Sequence, residues 1–146
     1  MGESVTVRLP ESLAEEIRRC GEGAYPAECC GALVGRVAGD VKDVIRLEPA
    51  VNRRTDDPHR YLIPPEDVRR LEGKLRSEGL EIVGYYHSHP DHPAVPSNFD
   101  ADHAWPWYSY VIVRVDRGRG ADLASWVLDD DLPRMHPESL EVPSEV

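Results

Sequence analysis

EIVGYYHSHPDHPAVPSNFD, residues 81–100, starts as an apolar run and ends as a polar one, and the change falls at its histidines. EIVGYYHSH (81–89) has the β-branched and aromatic content of a strand. Side chains two apart on a strand share a face, so His87 and His89 project together while Ser88 faces away. Pro90 has no amide hydrogen to give a ladder, so the strand ends there and the chain turns through DHPAVP. A short helix is predicted to begin near Ser97, with Ser97 as its N-cap and Asp100 as its third residue, an S-x-x-D capping signature. Asp100 then returns to the two histidines. Two neutral imidazole nitrogens and one carboxylate are the three-ligand set of a catalytic zinc, which leaves the fourth tetrahedral position for water. An H-x-H pair alone is commonly just hydrogen-bonded, and S-x-x-D alone is a common helix cap. Together on a strand end, a proline turn and a helix start, they form a constellation that packing does not require. His92 and His103 lie nearby only in sequence and read as surface or supporting residues.

Outward from this stretch the chain alternates strands and helices without an internal repeat. SVTVRL (4–9) alternates like a half-buried strand, and PESLAEEIRRC (10–20) opens with proline and carries Leu13, Ile17 and Cys20 at helical spacing. CCGALVGRV (29–37) and VKDVIRLEP (41–49) flank Ala38-Gly39-Asp40, which reads as a hairpin turn. Residues 50–60 are polar and read as a loop. PPEDVRRLEGKLRSEG (64–79) sets Val68, Leu71 and Leu75 on one helical face. YSYVIVRV (108–115) and DLASWVL (122–128) are two further strands. The order predicts an α+β fold, a curved mixed β-sheet flanked by two main helices.

A chain of 146 residues with 40% hydrophobic content fits one domain with a sizeable core. No apolar run is long enough to span a bilayer, and the N-terminus lacks a basic region followed by an apolar signal core, so a cytoplasmic protein with no membrane partner is expected. The three cysteines, Cys20, Cys29 and Cys30, form no C-x-x-C, which argues against a disulfide framework and a thiolate zinc site. A formal charge of −10 makes a nucleic-acid partner improbable on electrostatic grounds. Residues 129–146, opening DDDLP, carry six acids against one base and are expected as a solvated acidic tail beyond a domain spanning 1–128.

These residues resemble the JAMM or MPN-plus metallopeptidases. That pattern, an upstream glutamate, then H-x-H-P, then S-x-x-D, reads here as Glu28, HSHP (87–90) and SNFD (97–100). The ten residues between His89 and Asp100 match the family spacing, and PAECCGALVG (26–35), RYLIPPED (60–67) and YSYVIVRV extend the likeness over most of the chain. The resemblance implies an MPN domain, cytidine-deaminase-like in architecture, with one zinc per chain on His87, His89 and Asp100. It also implies that Glu28 is the general base and acid and that Ser97 donates its hydroxyl to the oxyanion. On sequence position alone, Glu28 reads as an exposed strand-edge acid.

Other chemistries use similar residues. Two histidines and a carboxylate also make the facial triad of non-haem iron oxygenases, which the upstream glutamate argues against, since an oxygenase has no need of such a base. A zinc nucleobase deaminase requires H-x-E and P-C-x-x-C, and neither occurs. A cysteine hydrolase would pair Cys29 or Cys30 with His87, but adjacent strand cysteines more often fill a core. The substrate implied by the resemblance is a small ubiquitin-like, β-grasp sulfur-carrier protein, cut after its C-terminal glycine to release cysteine or another amine. The alternative is a lysine isopeptide joining such a modifier to a protein. Trp105, Trp107 and Tyr108 are candidates to wall a groove for a glycine tail, with core packing the expectation for at least one tryptophan.

Overall fold

The structure is a computed structural model and describes residues 5–50, 63–128 and 134–144. In chain order its elements are β1 (Thr6–Arg8), α1 (Glu11–Ala24), β2 (Cys30–Ala38), β3 (Val41–Ala50), α2 (Pro65–Arg76), β4 (Glu81–Pro90), α3 (Asn98–Asp102), β5 (Ser109–Asp116), β6 (Arg119–Leu128) and β7 (Met135–Glu141). This is the expected α+β fold with two main helices, but the mixed sheet closes on itself as a barrel in the order β1-β3-β2-β4-β5-β6-β7. Closure removes the exposed strand edges that an open sheet would leave.

The strands fall close to where alternation and β-branched content place them. β2 and β3 pair antiparallel across a turn at Gly39 and Asp40, as the hairpin signal implies. α1 runs four residues beyond the predicted end at Cys20, through two glycines. Gly21 is there for closeness: a Cβ would lie 2.7 Å from Val115 Cγ2 and 3.2 Å from Ser88 Cβ, so only glycine lets the helix approach the sheet. The predicted loop at 50–60 lies, beyond Ala50, outside the described residues. No helix among the described residues is long and apolar enough to cross a membrane.

The segment from 129, expected to be a solvated tail, contributes β7, which pairs antiparallel with β6 and parallel with β1. Its acidic and proline-bearing sequence, MHPESLE, hides a strand because its partners come from opposite ends of the chain. Ser125 Oγ donates to Glu138 Oε1 at 2.7 Å, and β7 runs beside Arg8, which pairs with Glu141 at 3.7 Å.

Two clusters of buried side chains cover the two faces of the central strands. Val7, Leu9, Ala14, Ile17, Leu33, Val83, Tyr86, Val111, Val113 and Val115 pack with α1. Ala32, Val34, Leu75, Ile82, Tyr85 and Tyr110 pack with α2. Burying an aliphatic side chain of this size contributes about 1.5–3 kcal/mol, so the two helices clamp the sheet from both sides. β4 lies between antiparallel β2 and parallel β5 and is buried from Ile82 to Pro90. That double burial explains why its sequence is nearly continuously apolar up to His87.

Candidate metal centre

β4 delivers the two histidines to a buried end of the sheet. Its register with β2 shifts at Leu33/Val34, beside Gly84, whose missing side chain admits the Ser109 carbonyl of β5. From there alternation is regular: Tyr86 and Ser88 are fully buried toward α1, while Tyr85, His87 and His89 share the opposite face. His87 is fully buried and His89 is 6% exposed. Their rings lie 4.9 Å apart, with the two Nε2 atoms separated by 3.1 Å.

α3 brings the third group. Ser97 caps it as predicted, its Oγ accepting from Asp100 N at 3.0 Å while its own N–H donates to Asp100 Oδ2 at 2.9 Å. The same Oδ2 lies 3.1 Å from His87 Nε2 and 3.0 Å from His89 Nε2. Three ligand atoms from a strand and a helix cap thus form a nearly equilateral triangle, and these residues are the group among the described residues able to hold a metal ion.

The donor chemistry calls for a cation. His89 Nδ1–H donates to the Pro93 carbonyl at 2.8 Å, which leaves Nε2 with a bare lone pair aimed into the triangle. Burial holds His87 below the ordinary histidine range against the pull of Asp100, which favours its neutral form. Asp100 Oδ2 is held in place by the Ser97 N–H at 2.9 Å and faces the same point as the two Nε2 atoms. Two neutral imidazoles and a carboxylate within 3.0–3.1 Å of one another are stabilised by a central positive ion. A tetrahedral zinc with bonds of about 2.0–2.1 Å sets its ligand atoms about 3.3 Å apart, so a few tenths of an ångström of expansion accommodates it.

Glu28 lies two residues before β2 and is 6% exposed, unlike the exposed strand-edge acid its sequence position suggests. Cys30 pairs with His87 in the ladder, and Ser88 N–H donates to the Cys29 carbonyl at 3.1 Å. Continuing that register sets Glu28 opposite His89, on the face that carries both histidines. Cys29 and Cys30 are buried, and burial pushes both thiols up to about 12. They are protonated near neutral pH and poor nucleophiles, which removes the basis for a cysteine hydrolase.

His92 is exposed, and exposed His103 is turned away, its Nδ1–H donating to the Phe99 carbonyl at 2.8 Å while its ring stacks on Phe99. Neither joins the triangle. Trp105 and Trp107 are 69% and 44% exposed, so the expected core tryptophan is neither of them. Tyr108 instead packs beside Tyr85 and Tyr110. A cavity of about 340 Å³ opens under α2 on the face that carries Tyr85, lined in part by Ala32, Ala50, Val68, Leu71 and Tyr85.

Two features went unread in the sequence. Ser88, dismissed as facing away, accepts a 2.8 Å hydrogen bond from Cys29 N. Lys42, one of the polar positions of VKDV, is 1% exposed, and its Nζ donates to Ser109 Oγ at 2.9 Å and to the Trp107 carbonyl. No local pattern marks either, because both partners are distant in sequence.

A family profile described as prokaryotic homologs of the JAB domain matches residues 10–129. A desampylase of Haloferax volcanii is 35% identical over 114 residues, covering 77% of this chain and 81% of the relative. A probable TtuB-protein conjugate cleaving protease of Thermus thermophilus is 33% identical over 108 residues, covering 74% of this chain and 70% of the relative. Among solved structures, a Desulfitobacterium hafniense protein superposes with a TM-score of 0.82 at 28% identity, covering 96% of this chain and 94% of that one.

Proposed function

Because this chain belongs to the family of prokaryotic homologs of the JAB domain and is a hydrolase of that kind, we propose that it is a zinc-dependent isopeptidase. Its substrates are conjugates of a small β-grasp, ubiquitin-like protein, cut at the amide after the modifier's terminal glycine. The observation that carries this reading is the triangle of His87 Nε2, His89 Nε2 and Asp100 Oδ2. The names of the two relatives, one a desampylase and one a conjugate-cleaving protease, favour a protein lysine on the leaving side. Release of cysteine from a sulfur carrier uses the same bond-breaking chemistry with a smaller leaving group.

His87, His89 and Asp100 would hold one zinc per chain. Bound there, zinc supplies a Lewis acid and brings the pKa of a coordinated water to about 7. Glu28, buried and opposite His89, accepts the proton of the attacking water and passes it to the leaving amine. Ser97 Oγ accepts from Asp100 N, so its own O–H is free to donate to the oxyanion formed at the glycine carbonyl. An extended glycine tail lies along the metal-bearing face, with the cavity under α2 taking an apolar side chain upstream of the cut. A cytoplasmic setting suits the free cysteines.

Elemental analysis of the purified protein should give one zinc per chain, lost in His89→Ala. Glu28→Gln should keep the zinc and lose most turnover. Ser97→Ala should be milder, at about 100-fold. Intact mass spectrometry on a modifier–lysine conjugate and on a modifier ending in cysteine decides the leaving side. Cleavage of the cysteine form alone would replace deconjugation by cysteine release, and stoichiometric iron with oxygen-dependent turnover would refute the hydrolytic zinc site.

A further inference from the structure

The strand ladder between β2 and β4 runs out just where the chemistry begins. Its last pair is Cys30 with His87, and Glu28 lies beyond it. Two side-chain hydrogen bonds continue the connection. Cys29 N–H donates to Ser88 Oγ at 2.8 Å, and Tyr25 O–H donates to Asp91 Oδ2 at 2.6 Å. Tyr25 and Cys29 lie on either side of Glu28, and Ser88 and Asp91 lie on either side of His89. Glu28 and His89, which the continued register sets opposite each other, are thus bracketed by two tethers between the same pair of segments.

The Asp91 tether is anchored rather than loose. Its other carboxylate oxygen accepts from Arg117 N at 2.7 Å, and its own N–H donates to the Val115 carbonyl at 2.8 Å. Asp91 and Arg117 have φ values of 59° and 51°, a left-handed conformation that costs a non-glycine residue about 1–2 kcal/mol. These hydrogen bonds hold both in it. The end of α1 is fastened to the same hairpin, Arg18 Nε donating to the Ala121 carbonyl at 2.9 Å and Gly120 N donating to Glu22 Oε2 at 2.8 Å. The β5–β6 hairpin therefore fixes Asp91, Asp91 fixes Tyr25, and Tyr25 sets where the chain enters the Glu28 segment. Ser88, fully buried on the face away from the metal, does the same from the other end.

We propose that Tyr25, Asp91 and Ser88 are positioning residues that set the placement of Glu28 against the metal ligands and so govern proton transfer without touching metal or substrate. The inference rests on Glu28 as the proton carrier, as proposed above. A general base works only within hydrogen-bond reach of its proton, and a misplacement of about 1 Å can cost about 100-fold in rate. Losing one of two tethers permits part of that movement.

The test uses the full zinc-loaded chain. Tyr25→Phe, Asp91→Asn and Ser88→Ala are each compared with wild type and with Glu28→Gln for kcat, KM, bound zinc and thermal midpoint. Each tether variant should lower kcat about ten-fold, with KM within about two-fold and zinc stoichiometry unchanged. In the Glu28→Gln background the same substitutions should cost nothing further, because their effect runs through the missing carboxylate. Tyr25→Phe and Asp91→Asn alter part-exposed sites and carry the test if Ser88→Ala fails to fold. Wild-type kcat in both, alongside an inactive Glu28→Gln, overturns the positioning role and leaves Glu28 as the base. Equal losses with and without the Glu28 carboxylate, or losses that track zinc content, also overturn it. An active Glu28→Gln rejects the assignment of the base itself.

Discussion

Replacing Lys42 by methionine tests whether a buried charge holds the barrel closed. Lys42 is 1% exposed, its Nζ donates to Ser109 Oγ at 2.9 Å and to the Trp107 carbonyl, and it lies 4.2 Å from the centre of the Trp107 ring. Burial lowers its pKa, and Glu138 across the cluster raises it back in part. Glu138 is shifted up by burial, against hydrogen bonding to Ser109 and Ser125 and the attraction of Lys42. Lys42→Met leaves the Ser109 hydroxyl and the Trp107 carbonyl without their donor, and leaving a buried polar group unsatisfied costs about 1–3 kcal/mol. Glu138 is only half-buried and screened by water, so it adds a minor share, and about 3 kcal/mol is expected for Lys42→Met at pH 7, chiefly from the lost hydrogen bonds. At about 2–4 °C per kcal/mol for a domain of this size, that is a fall of about 9 °C in Tm.

The pH dependence gives the sign. A carboxyl whose folded pKa is raised favours the protonated native state, and losing Lys42 raises it further, so the cost of the substitution should shrink as pH falls from 7 toward 5. Urea unfolding followed by circular dichroism at both pH values measures it. Adding Glu138→Gln to Lys42→Met should recover the pH-dependent share of the loss, about 1 kcal/mol or less. A cost below about 1 kcal/mol that does not change with pH would refute the argument, because Lys42 and Glu138 would then be independent of the fold's closure.

Two other outcomes follow from the core. Gly84→Ala puts a methyl group against the Ser109 backbone carbonyl, which cannot swing aside, so it should destabilise by about 3 kcal/mol, the upper end for overpacking, in the same urea assay. Native protein treated with iodoacetamide at pH 8 should be alkylated only at the half-buried Cys20, because burial pushes Cys29 and Cys30 up to about 12; peptide mass mapping after quenching reads this, and rapid labelling of Cys30 would show that β2 opens at the metal site.

The metal triangle was legible in residues 81–100 because it is built from short-range rules. Strand alternation puts His87 and His89 on one face, proline ends the strand, and a capping box returns Asp100 within a dozen residues. Each rule depends only on backbone geometry within a few residues, which tertiary context does not alter. Glu28 is different. Its burial at the end of β2 depends on β2 pairing with β4, some sixty residues on, and only family resemblance picked it out from the sequence. β7 and Lys42 lay further out of reach. Alternation in VKDV marks two faces without saying which is inward, and MHPESLE has too few apolar residues to declare a strand. When the sheet closes, β1 pairs with both β3 and β7, and the face bearing a lysine becomes the buried one. Barrel closure is a property of all seven strands together, so the residues it buries, and the tethers it anchors at Asp91, were decided only by the tertiary structure.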